Sequence, residues 1–269
     1  MDLFSILVLG LVQGITEWIP ISSKTQDTLV YLSFLHGNLN LVVPILLYLH
    51  LGTVLSAALY FRGELRSIVG QLLRGPGEIR ARFRGETGFL VTALLFTGLM
   101  GIPLLILEKE SLGGLNASLL FIGMGAGLLI TGVLLLLQKR SAIRQREQVT
   151  WKDGVLTGLL QGLSVLPGVS RAGTSTTGLI WRGFDGESSF HLSFLLGIPT
   201  VVLAELIFYI NGSLLALPVA DGILLTAVSF LVGYVTIDLI LKIVRRVNLA
   251  YLALALGLFI IGAGVAGLG

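Results

Sequence analysis

Gln13-Gly14-Ile15-Thr16-Glu17-Trp18-Ile19-Pro20-Ile21-Ser22-Ser23 interrupts an otherwise apolar stretch, residues 3–35, at its centre. A second apolar stretch, 154–181, is broken in the same way by Leu166-Pro167-Gly168-Val169-Ser170-Arg171. Each stretch is about the length of two half-spans and carries charge at its break. Proline removes a backbone donor, and glycine and serine favour turns, so neither stretch reads as one continuous helix. Broken backbone at membrane depth must be buried in protein or line a cavity. Both stretches are therefore expected to fold as re-entrant helical hairpins.

The rest of the chain sets these hairpins in lipid. Of its 269 residues, 54% are hydrophobic and only 12% are charged, and mean hydropathy is +0.93. A soluble domain carries about 25% charged residues. Apolar runs near 41–61, 88–107, 115–137, 190–210, 220–241 and 249–268 are each long enough to cross a bilayer as a helix, which takes roughly 20 residues. The expected fold class is an all-α polytopic membrane protein with six transmembrane helices plus two re-entrant hairpins. The absence of cysteine excludes disulfides, thiol catalysis and sulfur-ligated metal. His36, His50 and His191 show no metal-ligand spacing. Met1-Asp2-Leu3-Phe4 lacks the basic segment of a signal peptide and reads as part of the mature fold.

A net charge of +3 and a pI near 9.3 would suit nucleic acid, but the placement of the charges argues against it. Arg62, Arg66, Arg74, Arg80, Arg82 and Arg84 fall in the 62–87 loop. Lys139, Arg140, Arg144, Arg146 and Lys152 fall between 138 and 153, Arg182 follows the second hairpin, and Lys242, Arg245 and Arg246 follow the fifth span. With hairpins that return to their own side, these 15 of the 18 basic residues share one face. Lys109 alone falls on the other, and Lys24 and Arg171 sit at the hairpin tips. The positive-inside rule makes the basic face cytoplasmic and puts both termini outside a cell membrane crossed several times.

Shifting the sequence by 148 residues lays Leu11-Val12-Gln13-Gly14-Ile15-Thr16 over Leu159-Leu160-Gln161-Gly162-Leu163-Ser164, and Ile21-Ser22-Ser23 over Val169-Ser170-Arg171. The chain divides into a first repeat, 1–137, holding the 3–35 hairpin and three spans; a basic linker, 138–153; and a second repeat, 154–269, holding the 154–181 hairpin and three spans. Three spans per unit is odd, so the second copy lies upside down relative to the first. In such inverted-topology repeats the binding site lies where the broken helices meet.

Ser22-Ser23-Lys24-Thr25-Gln26-Asp27 and Ser170-Arg171-Ala172-Gly173-Thr174 each pair a serine-rich turn with a half-helix whose free N–H groups suit a phosphate. Arg171 can grip two phosphate oxygens, and Lys24 adds a point charge. Cations deep in a membrane need an anion beside them, which is either a ligand or a structural partner such as Glu17. Glu17 itself can serve as general base, metal ligand or counter-ion to Arg171. His50 and Thr53 in the first full span, with Gln13 and Gln161, complete the cavity candidates, a helix-packing role standing against His50. Glu205 and Asp238 fall near span ends, where snorkelling explains them.

The residues from Gln13 to Ser23 and from Leu166 to Thr174 resemble the two signature motifs of the undecaprenyl-pyrophosphate phosphatase (bacitracin-resistance) family. Leu51-Gly52-Thr53, Tyr60-Phe61-Arg62 and Phe194 through Pro199 extend the likeness over nearly the whole chain. The resemblance implies inverted repeats with two re-entrant hairpins. It also implies removal of the terminal phosphate from a polyprenyl diphosphate, regenerating the monophosphate carrier of cell-envelope and glycan synthesis with help from a divalent cation, Mg2+ or Ca2+. By position it assigns catalysis or phosphate binding to Glu17, Ser22, Ser23, Ser170 and Arg171. Two departures stand out. Gln13 replaces a glutamate usual in the family, and Ser22-Ser23-Lys24-Thr25-Gln26 replaces Ser-Ser-Thr-Gly-His, so the histidine is missing.

The leaving group is a phosphate monoester with a second pKa of about 6, so it departs without a proton and the loss of a general acid is tolerable. Attack by Ser23 with Glu17 as base, and Arg171, Lys24 and a cation stabilising charge, is then the expected mechanism. Ser22, Thr25, Gln26, Ser170, Gly173 and Thr174 are expected to hold phosphate, and Glu17 to reach the cation. The alternative is a polyprenyl-phosphate transporter that binds the head group in the same pocket and moves it across the bilayer unhydrolysed. The partners are the lipid phosphate or diphosphate and the membrane, and a second copy of the chain is compatible with both readings.

Overall fold

The computed structural model describes residues 1–73, 85–112, 116–138, 143–210, 217–244 and 248–267. Among the described residues the regular elements are all helical. Five helices are long and apolar enough to span: Leu39–Tyr60, Gly85–Leu107, Ala117–Leu136, Gly186–Ile207 and Val219–Lys242. The sixth expected span is a helix of 17 residues, Leu249–Val265. At 1.5 Å per residue it covers about 25 Å, short of a hydrocarbon core of about 30 Å.

In chain order the α-helices are α1 Leu3–Thr16, α2 Ser23–Leu29, α3 Val42–Tyr60, α4 Arg62–Leu73, α5 Gly85–Leu112, α6 Ala117–Leu136, α7 Trp151–Gly162, α8 Arg171–Trp181, α9 Gly186–Ile210, α10 Val219–Val244 and α11 Leu249–Val265. Both interruptions expected from proline are present: α1 stops at Thr16 and α2 starts at Ser23, while α7 ends at Gly162 and α8 starts at Arg171. Asp2 caps α1, its Oδ1 accepting from the Ser5 N–H at 2.8 Å.

The half-helices find their walls in the other half of the chain. α1 packs on α10, and α7 packs on α5. Glycine makes both approaches possible, because no side chain stands between the backbones. A Cβ on Gly10 would lie 2.5 Å from Val228 Cγ1, and one on Gly14 2.7 Å from Val232 Cβ. On α7, a Cβ at Gly158 would strike the Ala93 carbonyl, and one on Gly162 would lie 2.6 Å from Met100 Cβ. Gly10 and Gly158, like Gly14 and Gly162, are 148 positions apart. The sequence shift therefore relates the packing faces as well as the letters.

One element departs from the sequence reading. The segment after Phe61 is not wholly loop: Arg62–Leu73 forms α4, burying Ile68 and packing Leu65 against the core around Trp18, Phe61, Phe89 and Phe194. Few apolar residues in a charge-rich run hid a short amphipathic helix. Of the basic residues counted above, Arg74, Arg80, Arg82, Arg84, Lys139, Arg140, Arg245 and Arg246 lie outside the described residues.

Residues 143–153 strap α7 to the end of α8. Ile143 and Arg144 donate their backbone N–H groups to the Gly183 carbonyl at 3.1 and 2.9 Å. The buried Asp153 carboxylate receives the Arg144 guanidinium at 3.0 Å on both oxygens and Arg182 Nε at 2.7 Å. Burial alone would push Asp153 up, but hydrogen bonds from Arg144, Arg182 and Thr150 outweigh it and hold the carboxyl below its ordinary value.

Candidate functional site

Glu17 is the first residue past α1, where the chain turns away from Pro20, and only 8% of it is exposed. Its Oε1 accepts from Arg171 Nη2 at 2.6 Å. Its Oε2 accepts from Ser23 Oγ at 2.6 Å and from Gln13 Nε2 at 3.2 Å. The three residues expected to carry the chemistry, Glu17, Ser23 and Arg171, thus meet in one cluster built from both hairpins. A buried carboxylate with three donors is held in a single orientation, and a hydroxyl donating to it has its own lone pairs turned outward.

The local backbone explains why these side chains point inward. Ser22 adopts φ 59°, ψ 87°, a left-handed conformation that costs a non-glycine residue about 1–2 kcal/mol. That turn starts α2 with Ser23 facing Glu17. Across the interface, Ser170 caps α8 with Oγ accepting from the Gly173 N–H at 3.2 Å, while its own N–H donates to Thr131 Oγ1 at 3.0 Å. The cap places Arg171 at the first helical position. Its Nη1 donates to the Ser193 carbonyl at 3.3 Å, and the guanidinium lies flat against Gly197, where any Cβ would collide with it. A small cleft is lined by Glu17, Trp18, Thr53, Arg171, Phe194 and Gly197.

The remaining candidates divide. Lys24 Nζ donates to the Ser164 carbonyl at 3.2 Å, joining the first tip to the second hairpin. A Cβ on Gly173 would lie 3.3 Å from Pro20 Cβ, so the two tips touch there as well. His50 faces Glu17 Oε2 with Nε2 at 3.6 Å, and its Nδ1 bonds the Leu46 carbonyl at 2.6 Å. Thr53 Oγ1 accepts from Gln13 Nε2 at 3.1 Å. Thr25 is spent on Ser22 Oγ at 3.0 Å, Gln26 on the Ile21 carbonyl at 3.0 Å, and Thr174 on the Ser170 and Arg171 carbonyls at 3.1 Å. These three hold the tips in shape. Gln161 lies apart from the carboxylate cluster and bonds Thr97 and Thr200 at 3.0 and 2.9 Å.

Two features escaped the sequence reading. Asp27 is 1% exposed, and neither of its carboxylate oxygens has a hydrogen-bond partner. Glu205, assigned to the span end, lies within electrostatic range of Lys24 and Glu17. The signal for Asp27 was in plain view as an acidic residue one turn past Ser23 in an apolar stretch. Among the described residues no group of three or more His, Asp and Glu gathers as a metal cage. That excludes a zinc-type cage of described side chains, but not a hard cation held by one or two carboxylates and a phosphate. The unpartnered oxygens of Asp27 and of Gln13 Oε1 fit such an ion.

Comparison with known proteins agrees with the geometry. The family model described as "Bacitracin resistance protein BacA" matches residues 6–263. An undecaprenyl-diphosphatase of Methanothrix thermoacetophila is 36% identical over 96% of this chain and 95% of its own length. One of Haloarcula marismortui is 36% identical over 90% of this chain and 89% of its own. One of Methanococcoides burtonii is 33% identical over 96% of both.

Proposed function

Because the chain belongs to the bacitracin resistance protein BacA family, we propose that it is a polyprenyl diphosphate phosphatase of the undecaprenyl-diphosphatase type, acting at the Glu17–Ser23–Arg171 cluster. The observation that carries this reading is the 2.6 Å hydrogen bond from Ser23 Oγ to Glu17, a nucleophile joined to its base. Ser23 Oγ attacks the terminal phosphorus while Glu17 takes its proton, and the bond to the bridging oxygen breaks. The polyprenyl monophosphate departs without protonation. Water then displaces the seryl phosphate, and the proton on Glu17 returns to Ser23 Oγ. Arg171 faces the oxygens that gain charge, and Trp18 and Phe194 keep bulk water out.

Gln26 stands where the family's histidine would be, with its amide committed to a backbone carbonyl. This favours Ser23 and Glu17 as the working pair. A divalent cation, Mg2+ or Ca2+, would bind beside Glu17 and neutralise phosphate charge.

The same reading makes the molecule two inverted repeats, 1–137 and 154–269, joined by a basic linker. They comprise six spans and two re-entrant hairpins in a cell membrane, with the termini outside and the basic loops cytoplasmic. Support comes from the paired packing of α1 on α10 and α7 on α5, and from Gln13 and Gln161, each donating to a threonine of the following span, Thr53 and Thr200. A homodimer is compatible with this arrangement.

The test is phosphate release from C15 and C55 polyprenyl diphosphates by purified protein, with and without Mg2+ or Ca2+, beside Glu17→Ala and Arg171→Ala. Release that falls by at least about 10²-fold in both variants is the expected result. The transporter reading draws on the contacts between the hairpins, Arg171 with Glu17 and Lys24 with Ser164, which an alternating-access motion would have to break. Monophosphate binding without any phosphate release would select it.

A further inference from the structure

Asp27 is the least expected charge in the molecule. A carboxylate buried in protein at membrane depth without a donor is costly, and such groups persist where something else neutralises them. Asp27 follows Ser23 by four positions on α2, so the two share a helix face about 6 Å apart. Helical side chains lean toward the N-terminus, which tilts the Asp27 carboxylate back toward the Ser23–Glu17 pair. Glu17 lies within electrostatic range of it. A second orphan oxygen belongs to a residue bonded to Glu17. Gln13 is fully buried, its Nε2 is fixed by Glu17 and Thr53, and its Oε1 has no donor.

The unsatisfied atoms of Asp27 and Gln13 are oxygens, and hard cations take carboxylate and amide oxygens, completing their shells with water and phosphate. Beside Glu17, Asp27 supplies a second carboxylate from the neighbouring helix. Resting on the phosphatase reading of this site, we infer that Asp27 is the principal protein ligand of a divalent cation at the first hairpin, with Gln13 Oε1 as its neutral companion. An ion held there would add positive charge at the first hairpin to that of Arg171 at the second, suiting an incoming diphosphate. Asp27 thereby becomes a residue that sets cation affinity, separate from the proton transfer assigned to Glu17 and Ser23.

Mn2+ binding by purified protein in detergent, followed by electron paramagnetic resonance with no lipid present, tests this. Wild-type protein binds one Mn2+, Asp27→Asn weakens that binding at least about tenfold, and Asp238→Asn, at an exposed pair with Lys242, leaves it unchanged. Thermal unfolding in chelator supplies the second measurement. Asp27→Asn unfolds at higher temperature than wild type because an unpartnered buried carboxyl is gone, and Mn2+ raises the unfolding temperature of wild type alone. Asp27→Leu takes the place of the Asn variant where the latter aggregates. Absence of Mn2+ binding in wild type, or equal binding in the Asp27 variants, overturns the inference while leaving phosphate release through Glu17 and Ser23 intact. Asp27-dependent binding in a protein that releases no phosphate overturns the phosphatase reading instead.

Discussion

Arg171 Nη2 and Glu17 Oε1 stand 2.6 Å apart although 154 positions separate them in sequence. The bond joins the two hairpins and orients the base at once. Arg171→Ala leaves the buried Glu17 with Ser23 and Gln13 as donors but without its guanidinium partner, so the variant loses about 3–5 kcal/mol of stability. Loss of a fixed charge at the developing oxyanion lowers phosphate release by about 10²- to 10³-fold. Arg171→Lys keeps the charge but cannot hold Glu17 and the Ser193 carbonyl together, so its rate falls between the two. Chemical denaturation and phosphate assays on the same preparations check both values.

Ser23→Ala removes the proposed nucleophile and one of the donors to Glu17. Its kcat falls by about 10³-fold or more while KM for the lipid diphosphate stays within about threefold, because ground-state contacts to the phosphate remain. A KM that rises with kcat unchanged would make Ser23 a binding group.

Crowding decides the effect of adding a methyl to different glycines. Gly14→Ala pushes a Cβ against Val232 and Gly162→Ala against Met100, and each costs about 1–3 kcal/mol by overpacking. Gly70→Ala, on the exposed face of α4 with nothing within 4 Å, gains up to about 1 kcal/mol from helix propensity. Thermal unfolding midpoints in one detergent rank the three.

Asp153 links stability to acid. Its folded value lies below the ordinary carboxylate value, so its contribution is full above the unfolded pKa of about 3.9 and is lost as pH falls through the lower folded value. Wild type therefore melts above Asp153→Asn near pH 5, and the gap narrows as the pH is taken below about 4. A gap that widens on acidification would reverse the sign.

The two helix breaks were legible because proline and charge interrupt an apolar stretch. The 148-residue shift was visible in the sequence because Gln-Gly recurs at 13–14 and 161–162. Glu17, Ser23 and Arg171 were legible as a set, since each is expensive or reactive at membrane depth. Thr25, Gln26 and Thr174 bond backbone or neighbouring acceptors for a local reason, since such groups lie within reach of side chains near helix starts and are taken first. Asp27 was quoted only as the end of the Ser22–Asp27 tip and given no role of its own. Only the fold shows Lys24 reaching to Ser164 and Gln26 to Ile21. α4 was missed because most of its surface is polar, and its buried side rests on Ile68 and Leu65.

The crossed packing of the half-helices bears on ancestry. A chain cut between residues 138 and 143 would strand α1 from its wall on α10 and α7 from its wall on α5. Neither fragment could then hide its glycine-lined groove, whereas the two fragments together could. A single-hairpin ancestor would have needed a second copy, each lending the other its wall. Fusion of two such genes would have fixed as one polypeptide what began as a pair.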